Sequence, residues 1–164
     1  AIAIEPSSCP SLTKGRFAYD FGDTLKSTPL MKMHTLGSDF MPSPTHSGGL
    51  RYHGMAPMLS HLVHHGHVEP RAYGQKECFE VGIQFARTEG IIPAPEATHA
   101  IKGAVDEALK CKQKGESKAI LFNLCGHGHF DMQAYNDYFS GNLAEDKFDE
   151  KAFEESMAAI PPVN

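Results

Sequence analysis

The chain has 164 residues, and its 15 Lys and Arg against 20 Asp and Glu give a formal net charge of −5 at pH 7. This length fits one domain of ordinary size or a part of a larger one. This net negative charge argues against a protein that binds the nucleic-acid backbone through a stripe of basic residues. No apolar run approaches the roughly 20 residues of a membrane span, and four cysteines without a CxxC pair indicate reduced thiols. We therefore predict a cytoplasmic protein with no nucleic-acid or membrane partner.

The N-terminal third predicts a strand followed by long loops. Ala1–Ile4 is a short apolar run that opens without a cap or turn, so we expect a strand that is already under way and further sequence upstream of it. Residues 6–44 are rich in Pro, Gly, Ser and Thr and lack sustained periodicity. We predict ordered loops there, around a short segment near Leu30–Leu36.

The middle of the chain predicts helices separated by glycine stops. Apolar residues at helical spacing, followed by glycines that suit a helix C-terminus, predict three helices and one short strand. In chain order these are a helix at Met55–His65, a strand at Val68–Tyr73, a helix at Gln75–Thr88 and a helix at Ala97–Lys114.

A continuous apolar run, Ala119–Phe122, is typical of a parallel strand buried on both faces. A glycine loop follows, and the tail from Leu143 to Ile160 predicts an amphipathic helix that packs on a neighbour. We predict the α/β class, with a parallel sheet and flanking helices. The predicted organisation is one partial domain, with a strand and long loops in 1–54, an α/β core in 55–140 and an acidic helical tail in 141–164.

Two connections of this α/β unit could carry a ligand. Ligands of open α/β sheets bind beyond the carboxyl ends of the strands, where the Cys125–His129 loop (CGHGH) is expected. Glu96 follows a Pro-Ala-Pro run that fixes the backbone at a predicted helix start. Alone, the loop could be a plain turn and Glu96 could simply stabilise its helix. Only their combination predicts a site.

A zinc hydrolase is an alternative. His127, His129 and Asp131 follow an apolar strand at the spacing of the ligand run in metallo-β-lactamase-type hydrolases. That family has a further His at the next position, where this chain has Met132. We keep this hypothesis as one that metal analysis can exclude.

Several motifs resemble the tryptophan synthase β chains, most closely their type-2 branch. They are Tyr19–Thr24 (YDFGDT), Pro29–Gly37 (PLMKMHTLG), Gly48–Gly54 (GGLRYHG), Glu89–Ala100 (EGIIPAPEATHA) and Leu124–Asp131 (LCGHGHFD). The resemblance covers nearly the whole chain up to the acidic tail. It implies part of the large domain of a fold-type II pyridoxal phosphate enzyme, which acts as a homodimer and replaces the β-hydroxyl of L-serine, or a related amino acid, with indole.

The resemblance also assigns residues. Glu96 is similar to the family's active-site glutamate beside the cofactor, and Cys125, followed by Gly126, stands where a serine faces the pyridine nitrogen. A neutral partner at that nitrogen weakens the ring as an electron sink, which favours β-elimination over transamination. Tyr52 and Gly54 match positions whose backbone carbonyls help to bind a monovalent cation.

The chain departs from the family in three respects. Arg51 stands where the better-known branch has an acidic residue that helps to close the site, which puts the serine contact and the closing switch in doubt. This reversal of charge also fits a branch that does not need the α subunit. The lysine that carries the cofactor and the phosphate-binding loop belong to sequence upstream of Ala1. We therefore expect an N-terminal portion of the same enzyme as partner and an inactive isolated chain. The alternative is a noncatalytic assembly or binding module.

Overall fold

The computed structural model describes residues 1–145 and 147–163. In chain order its elements are β1 (Ile2–Pro6), β2 (Arg16–Phe21), β3 (Leu30–Thr35), α1 (Pro57–His64), β4 (Glu69–Tyr73), α2 (Gln75–Glu89), α3 (Pro95–Lys114), α4 (Met132–Phe139) and α5 (Glu150–Ala158). The chain divides into two compact units. The first unit contains residues 1–44, 50–72 and the C-terminal segment, and the second contains residues 45–49 and 73–145.

Strands β1 and β4 form a two-stranded parallel sheet. The amide of Glu69, at the start of β4, donates a 3.0 Å hydrogen bond to the carbonyl of Ala1, beside the start of β1, so both strands begin at the same end. Parallel strands need a long crossover, which the intervening residues provide. The strands predicted at Ala1–Ile4 and Val68–Tyr73 are confirmed, and so is the α/β class, with a parallel sheet and flanking helices.

The long loops predicted for residues 6–44 are partly wrong, because this region contains an antiparallel hairpin. Strand β2 pairs with β3 over its whole length, from Arg16 opposite Thr35 to Phe21 opposite Leu30. The alternation of apolar and polar side chains that would indicate a strand is interrupted by Asp20. This fully buried carboxylate stands where a strand usually buries an apolar side chain. Only the segment near Leu30–Leu36 was recognisable in advance, and it is β3.

The core of the first unit lies between the N-terminal loops and α5. Its buried members are Cys9, Leu36, Phe40, Phe153 and Met157. Full burial of a large apolar side chain contributes about 1.5–3 kcal/mol, whereas the exposed ion pair of Arg16 with Glu154 adds about 1 kcal/mol or less. The amphipathic helix predicted for Leu143–Ile160 is confirmed only over Glu150–Ala158. Asp149 caps the start of this helix, because its side chain accepts the amide of Ala152 at 3.0 Å.

Helices α2 and α3 pack closely in the second unit. A Cβ at Gly82 would meet Cγ2 of Thr98 at 2.5 Å, so only glycine allows this approach. Both helices end on a glycine with positive φ, and the helices predicted at Gln75–Thr88 and Ala97–Lys114 are confirmed to within two residues. Helix α4 was not predicted. It packs on α2 through Phe79 and Tyr135, whose rings meet edge-on at 5.0 Å.

The buried strand predicted at Ala119–Phe122 is wrong for this chain. The segment has no assigned strand, and the Leu121 side chain is 97% exposed. A strand needs a neighbour to complete its hydrogen-bond ladder, and within the described residues the two sheets contain only β1 to β4. Phe122 makes an edge-on contact with Phe85 at 5.9 Å. Across residues 1–145 and 147–163, no helix combines the length and the apolar character that a membrane crossing requires.

Candidate functional site

The two connections singled out in the sequence lie side by side in the second unit. The amide of Ala94 donates to the carbonyl of Gly126 at 2.9 Å, and the amide of Gly128 donates to the carbonyl of Ile92 at 2.8 Å. These two bonds form an antiparallel bridge centred on Pro93 and His127. The backbone just before Glu96 is therefore bonded to the backbone just after Cys125. We call this pair of segments, residues 92–94 and 126–128, the junction.

Close packing keeps the junction in place. A Cβ at Gly128 would lie 2.5 Å from the carbonyl oxygen of Pro93 and 3.0 Å from the Tyr135 ring, so this position requires glycine. The Tyr135 hydroxyl donates a 2.6 Å hydrogen bond to that same carbonyl, and burial raises the pKa of Tyr135. The phenol therefore stays protonated as a donor. Helix α4, which carries Tyr135, thus holds the start of α3 to the glycine loop.

Glu96 lies in the first turn of α3, where a carboxylate is stabilised by the positive end of the helix. Its side chain is half-buried, and its Oε1 atom accepts a 2.8 Å hydrogen bond from the amide of Gly49. The contact joins α3 to the short 3₁₀ turn Gly48–Leu50. The sequence singled out Glu96 but missed the Gly49 donor. The only feature of the sequence that could have indicated this donor is the pair Gly48 and Gly49, because glycines let a backbone come close to another group.

The Cys125 loop presents its side chains to solvent. Cys125 is exposed, as are His127 and His129, and Phe130 is 92% exposed. The amide of His129 donates to Nδ1 of His127 at 3.3 Å. The loop therefore combines a thiol, two imidazoles and an exposed aromatic ring beside the junction.

The carbonyls proposed for a monovalent cation belong to the first unit. The Tyr52 carbonyl accepts a 3.2 Å hydrogen bond from Sγ of Cys9. Burial is the main cause that raises the pKa of Cys9 to about 12, so this thiol keeps its proton. Gly54 is bridged to Thr35 in an antiparallel arrangement. One lone pair of the Tyr52 oxygen is therefore already engaged, and Arg51 next to it donates to the Pro42 carbonyl at 2.9 Å.

A buried polar network that the sequence analysis missed supports this loop. Asp20 accepts hydrogen bonds from the Thr35 hydroxyl at 2.7 Å and from the Phe21 amide at 2.8 Å. His53 donates from Nε2 to the Phe21 carbonyl at 2.8 Å and accepts the Leu36 amide at 2.6 Å. The network fixes the backbone of His53, between the two candidate carbonyls. An aspartate in the middle of an aromatic strand was the available signal.

The zinc alternative has no support in the geometry. Within the described residues there is no group of three His, Cys, Asp or Glu side chains that could hold a metal ion, and His127, His129 and Asp131 form no such group. The Nδ1 atom of His127 is also used by the amide of His129.

Comparison with known proteins finds relatives whose sequences match this chain over most of its length. The tryptophan synthase beta chain 2 of Methanosarcina mazei is 63% identical over 142 residues, which are 87% of this chain and 32% of that protein. The beta chain 2 of Aquifex aeolicus is 60% identical over 88% of this chain and 33% of its own length. The tryptophan synthase beta chain of Pyrococcus horikoshii is 50% identical over 98% of this chain and 35% of its own length.

This chain is homologous to tryptophan synthase beta chains. The resemblance given by the motifs is therefore confirmed, and the match is to the C-terminal portion of these proteins. The chain spans about a third of the length of the curated relatives it matches. No family model matches it.

The residues at the junction fit one side of a pyridoxal phosphate site. A half-buried carboxylate, Glu96, is fixed by a backbone donor, and the exposed thiol of Cys125 lies on the loop that the junction bonds to the segment before Glu96.

Proposed function

We propose that this chain forms one side of the active site of a tryptophan synthase β-type enzyme, a pyridoxal phosphate-dependent lyase that replaces the hydroxyl of L-serine with indole. The observation that carries the proposal is the junction, which holds the Glu96 segment against the Cys125 loop. The homology to beta chains supports it, because both residues lie in motifs that resemble those of the family.

The bound cofactor would act as an electron sink that labilises the bonds at the substrate's Cα and Cβ atoms. Glu96 would serve as a proton donor or acceptor beside the ring, with its Oε1 atom held by Gly49. Cys125 would offer a neutral, weak hydrogen-bond donor to the ring nitrogen, with Gly126 leaving room for the ring. A neutral partner there favours β-replacement over transamination.

The partners follow from the same proposal. We infer that an N-terminal portion of the same enzyme supplies the lysine and the phosphate loop, that the enzyme is a cytoplasmic homodimer, and that the chain alone does not turn over serine. Arg51 supports a type-2 enzyme that closes its site without the acidic residue of the better-known branch. The carbonyls of Tyr52 and Gly54 are the candidate ligands of a monovalent cation. The hydrogen bond from Cys9 leaves the Tyr52 oxygen one further lone pair for it.

A chimera tests the proposal. The C-terminal third of the Methanosarcina mazei beta chain 2 would be replaced by this chain, and the purified protein would be assayed for the absorbance band of bound cofactor and for indole-dependent formation of tryptophan from serine. We expect both signals in the chimera and neither in the isolated chain. A folded chimera that binds cofactor but forms no tryptophan would contradict the proposal and favour the noncatalytic binding module.

Glu96→Gln is the decisive variant in this chimera. It keeps the size of the side chain and its acceptor oxygen for Gly49, but it removes the titrating group, so kcat should fall about 100-fold or more. The matched control is Glu89→Gln, at the exposed C-terminal end of α2 in the same sequence motif. Equal kcat values of the two variants would show that Glu96 takes no part in the reaction.

A further inference from the structure

Four histidines occur within seven residues at the C-terminal end of α1, outside the candidate active site. They are His61, His64, His65 and His67. The amide of His65 donates to the carbonyl of His61 at 3.1 Å, so the helical spacing continues to residue 65. Residues four apart on a helix lie on the same face. The rings of His61 and His65 accordingly lie side by side, with centroids 4.3 Å apart, and both residues are exposed.

The other two histidines differ from this pair. The His64 ring stacks on Phe17 of β2 at 4.1 Å with an interplanar angle of 20°, so it is directed at the hairpin. His67 follows Gly66, whose φ of 74° turns the chain away from the helix. The His64 ring also meets His65 edge-on, with centroids 5.3 Å apart, but one of its faces is engaged by Phe17. His61 and His65 therefore form the closest pair of rings within the cluster.

We propose that His61 and His65 form a surface site for a divalent transition-metal ion such as Zn²⁺, Ni²⁺ or Cu²⁺. Imidazole nitrogens suit these ions, and two histidines four residues apart on one helix face can ligate one ion together. Among the described residues no third His, Cys, Asp or Glu completes the group. Water would therefore fill the remaining coordination positions.

The consequence for the fold is local. An ion held by His61 and His65 would link the last turn of α1 to its C-terminal cap, and binding to the folded state alone stabilises that state. The site depends on none of the residues assigned to cofactor or substrate. Its test is accordingly independent of the proposed enzyme activity.

The experiment uses the untagged chain, titrated with Zn²⁺ and with Ni²⁺ in a calorimeter, and the variants His61→Asn, His65→Asn and His67→Asn. We expect one saturable site in the wild type, an affinity at least about tenfold lower in the first two variants, and little change in the third. All three substitutions are at exposed positions, so folding should be retained, which circular dichroism would verify.

A competition experiment and a measurement of thermal stability test the proposal further. Mg²⁺, which prefers oxygen ligands, should not compete for the site, and Ni²⁺ should raise the melting temperature of the wild type but not that of His65→Asn. The proposal is overturned if the wild type binds no ion saturably. It is equally overturned if all three variants lose affinity to the same extent, which would indicate diffuse binding by scattered surface histidines.

Discussion

The amide of Gly49 donates a 2.8 Å hydrogen bond to Oε1 of Glu96, which fixes the carboxylate of the residue proposed to move a proton. The same glycine also limits the space around that carboxylate. A Cβ at Gly49 would lie 3.2 Å from both Cγ and Oε1 of Glu96, whereas a Cβ at the neighbouring Gly48 would meet nothing within 4 Å. These two glycines therefore form a matched pair for testing whether the position of the carboxylate matters.

We predict that Gly49→Ala lowers kcat in the chimera by roughly threefold to tenfold, because it displaces the Glu96 carboxylate by a few tenths of an ångström and small misplacements of a catalytic group are costly. Gly48→Ala should leave kcat unchanged. Steady-state kinetics with serine and indole would measure both, and urea unfolding would verify that the two variants are about equally stable. A similar loss of kcat in both variants would show that the turn, and not the carboxylate position, is responsible.

Cys125 provides a second test, because the charge of its side chain can be changed in place. Cys125→Ser keeps a neutral donor and should retain tryptophan formation. Cys125→Asp introduces a carboxylate that favours a protonated ring nitrogen, so tryptophan formation should fall by about tenfold or more, which is about 1.4 kcal/mol in the transition state. Transamination, which converts serine to 3-hydroxypyruvate and transfers its amino group to the cofactor, should rise.

Product analysis in the chimera would measure both reactions, with Cys111→Ser on α3 as the control thiol. Unchanged product ratios in Cys125→Asp would place Cys125 away from the ring nitrogen.

The sequence predicted the elements that are determined locally. Helices α2 and α3 have regular apolar periodicity and end at Gly90 and Gly115, so their bounds follow from neighbouring residues alone. The hairpin of β2 and β3 depends on pairing across eight intervening residues, and the buried Asp20 hides its alternation. Periodicity carries no information about which strand a segment will pair with.

The residues of the candidate site likewise fall into two groups, those that a local motif identifies and those that depend on long-range contacts. Glu96 and Cys125 could be named from motifs, because their residue types and order are local features of the sequence. The Gly49 donor and the Tyr135 hydroxyl that supports the junction come from positions more than 40 residues away along the chain, at separations of 47 and 42 residues from their partners. Such long-range contacts become visible only in three dimensions.

The exposed segment Ala119–Phe122 gives a prediction about context. Leu121 is 97% exposed in this chain, so Leu121→Asp should change the free energy of unfolding of the isolated chain by no more than about 0.5 kcal/mol. If the segment becomes a buried strand beside an N-terminal portion, the same substitution in the chimera should cost about 2–5 kcal/mol.

Urea unfolding of both proteins would measure this difference. Leu143→Asp, at a position that is 4% exposed, is the positive control and should destabilise the isolated chain strongly. An equally small effect of Leu121→Asp in the chimera would contradict a buried strand.

His99 makes the stability of the second unit depend on pH. It is 2% exposed on α3, its Nδ1 donates to the Pro95 carbonyl at 3.0 Å, and its buried Nε2 has no partner within the described residues. Burial is the main cause that lowers the pKa of His99 below its ordinary value of 6.5, against the attraction of Glu96 and Glu77. The folded protein therefore resists the proton that the unfolded chain accepts.

The sign of the effect follows from this difference. Above pH 6.5 His99 is neutral in both the folded and the unfolded state, so its contribution to stability is complete. As the pH falls below 6.5, toward the lower pKa of the folded state, the unfolded chain binds more protons than the folded one, and this contribution is lost.

The urea concentration at the unfolding midpoint should thus decrease as the pH is lowered from about 7.5 to about 5.5. His99→Gln should reduce this fall, whereas the exposed control His67→Asn should not. Burial also lowers the pKa values of His34 and His65, but both residues are present in the wild type and in His99→Gln and cancel in that comparison. Identical pH slopes in the wild type and His99→Gln would show that His99 titrates alike in both states.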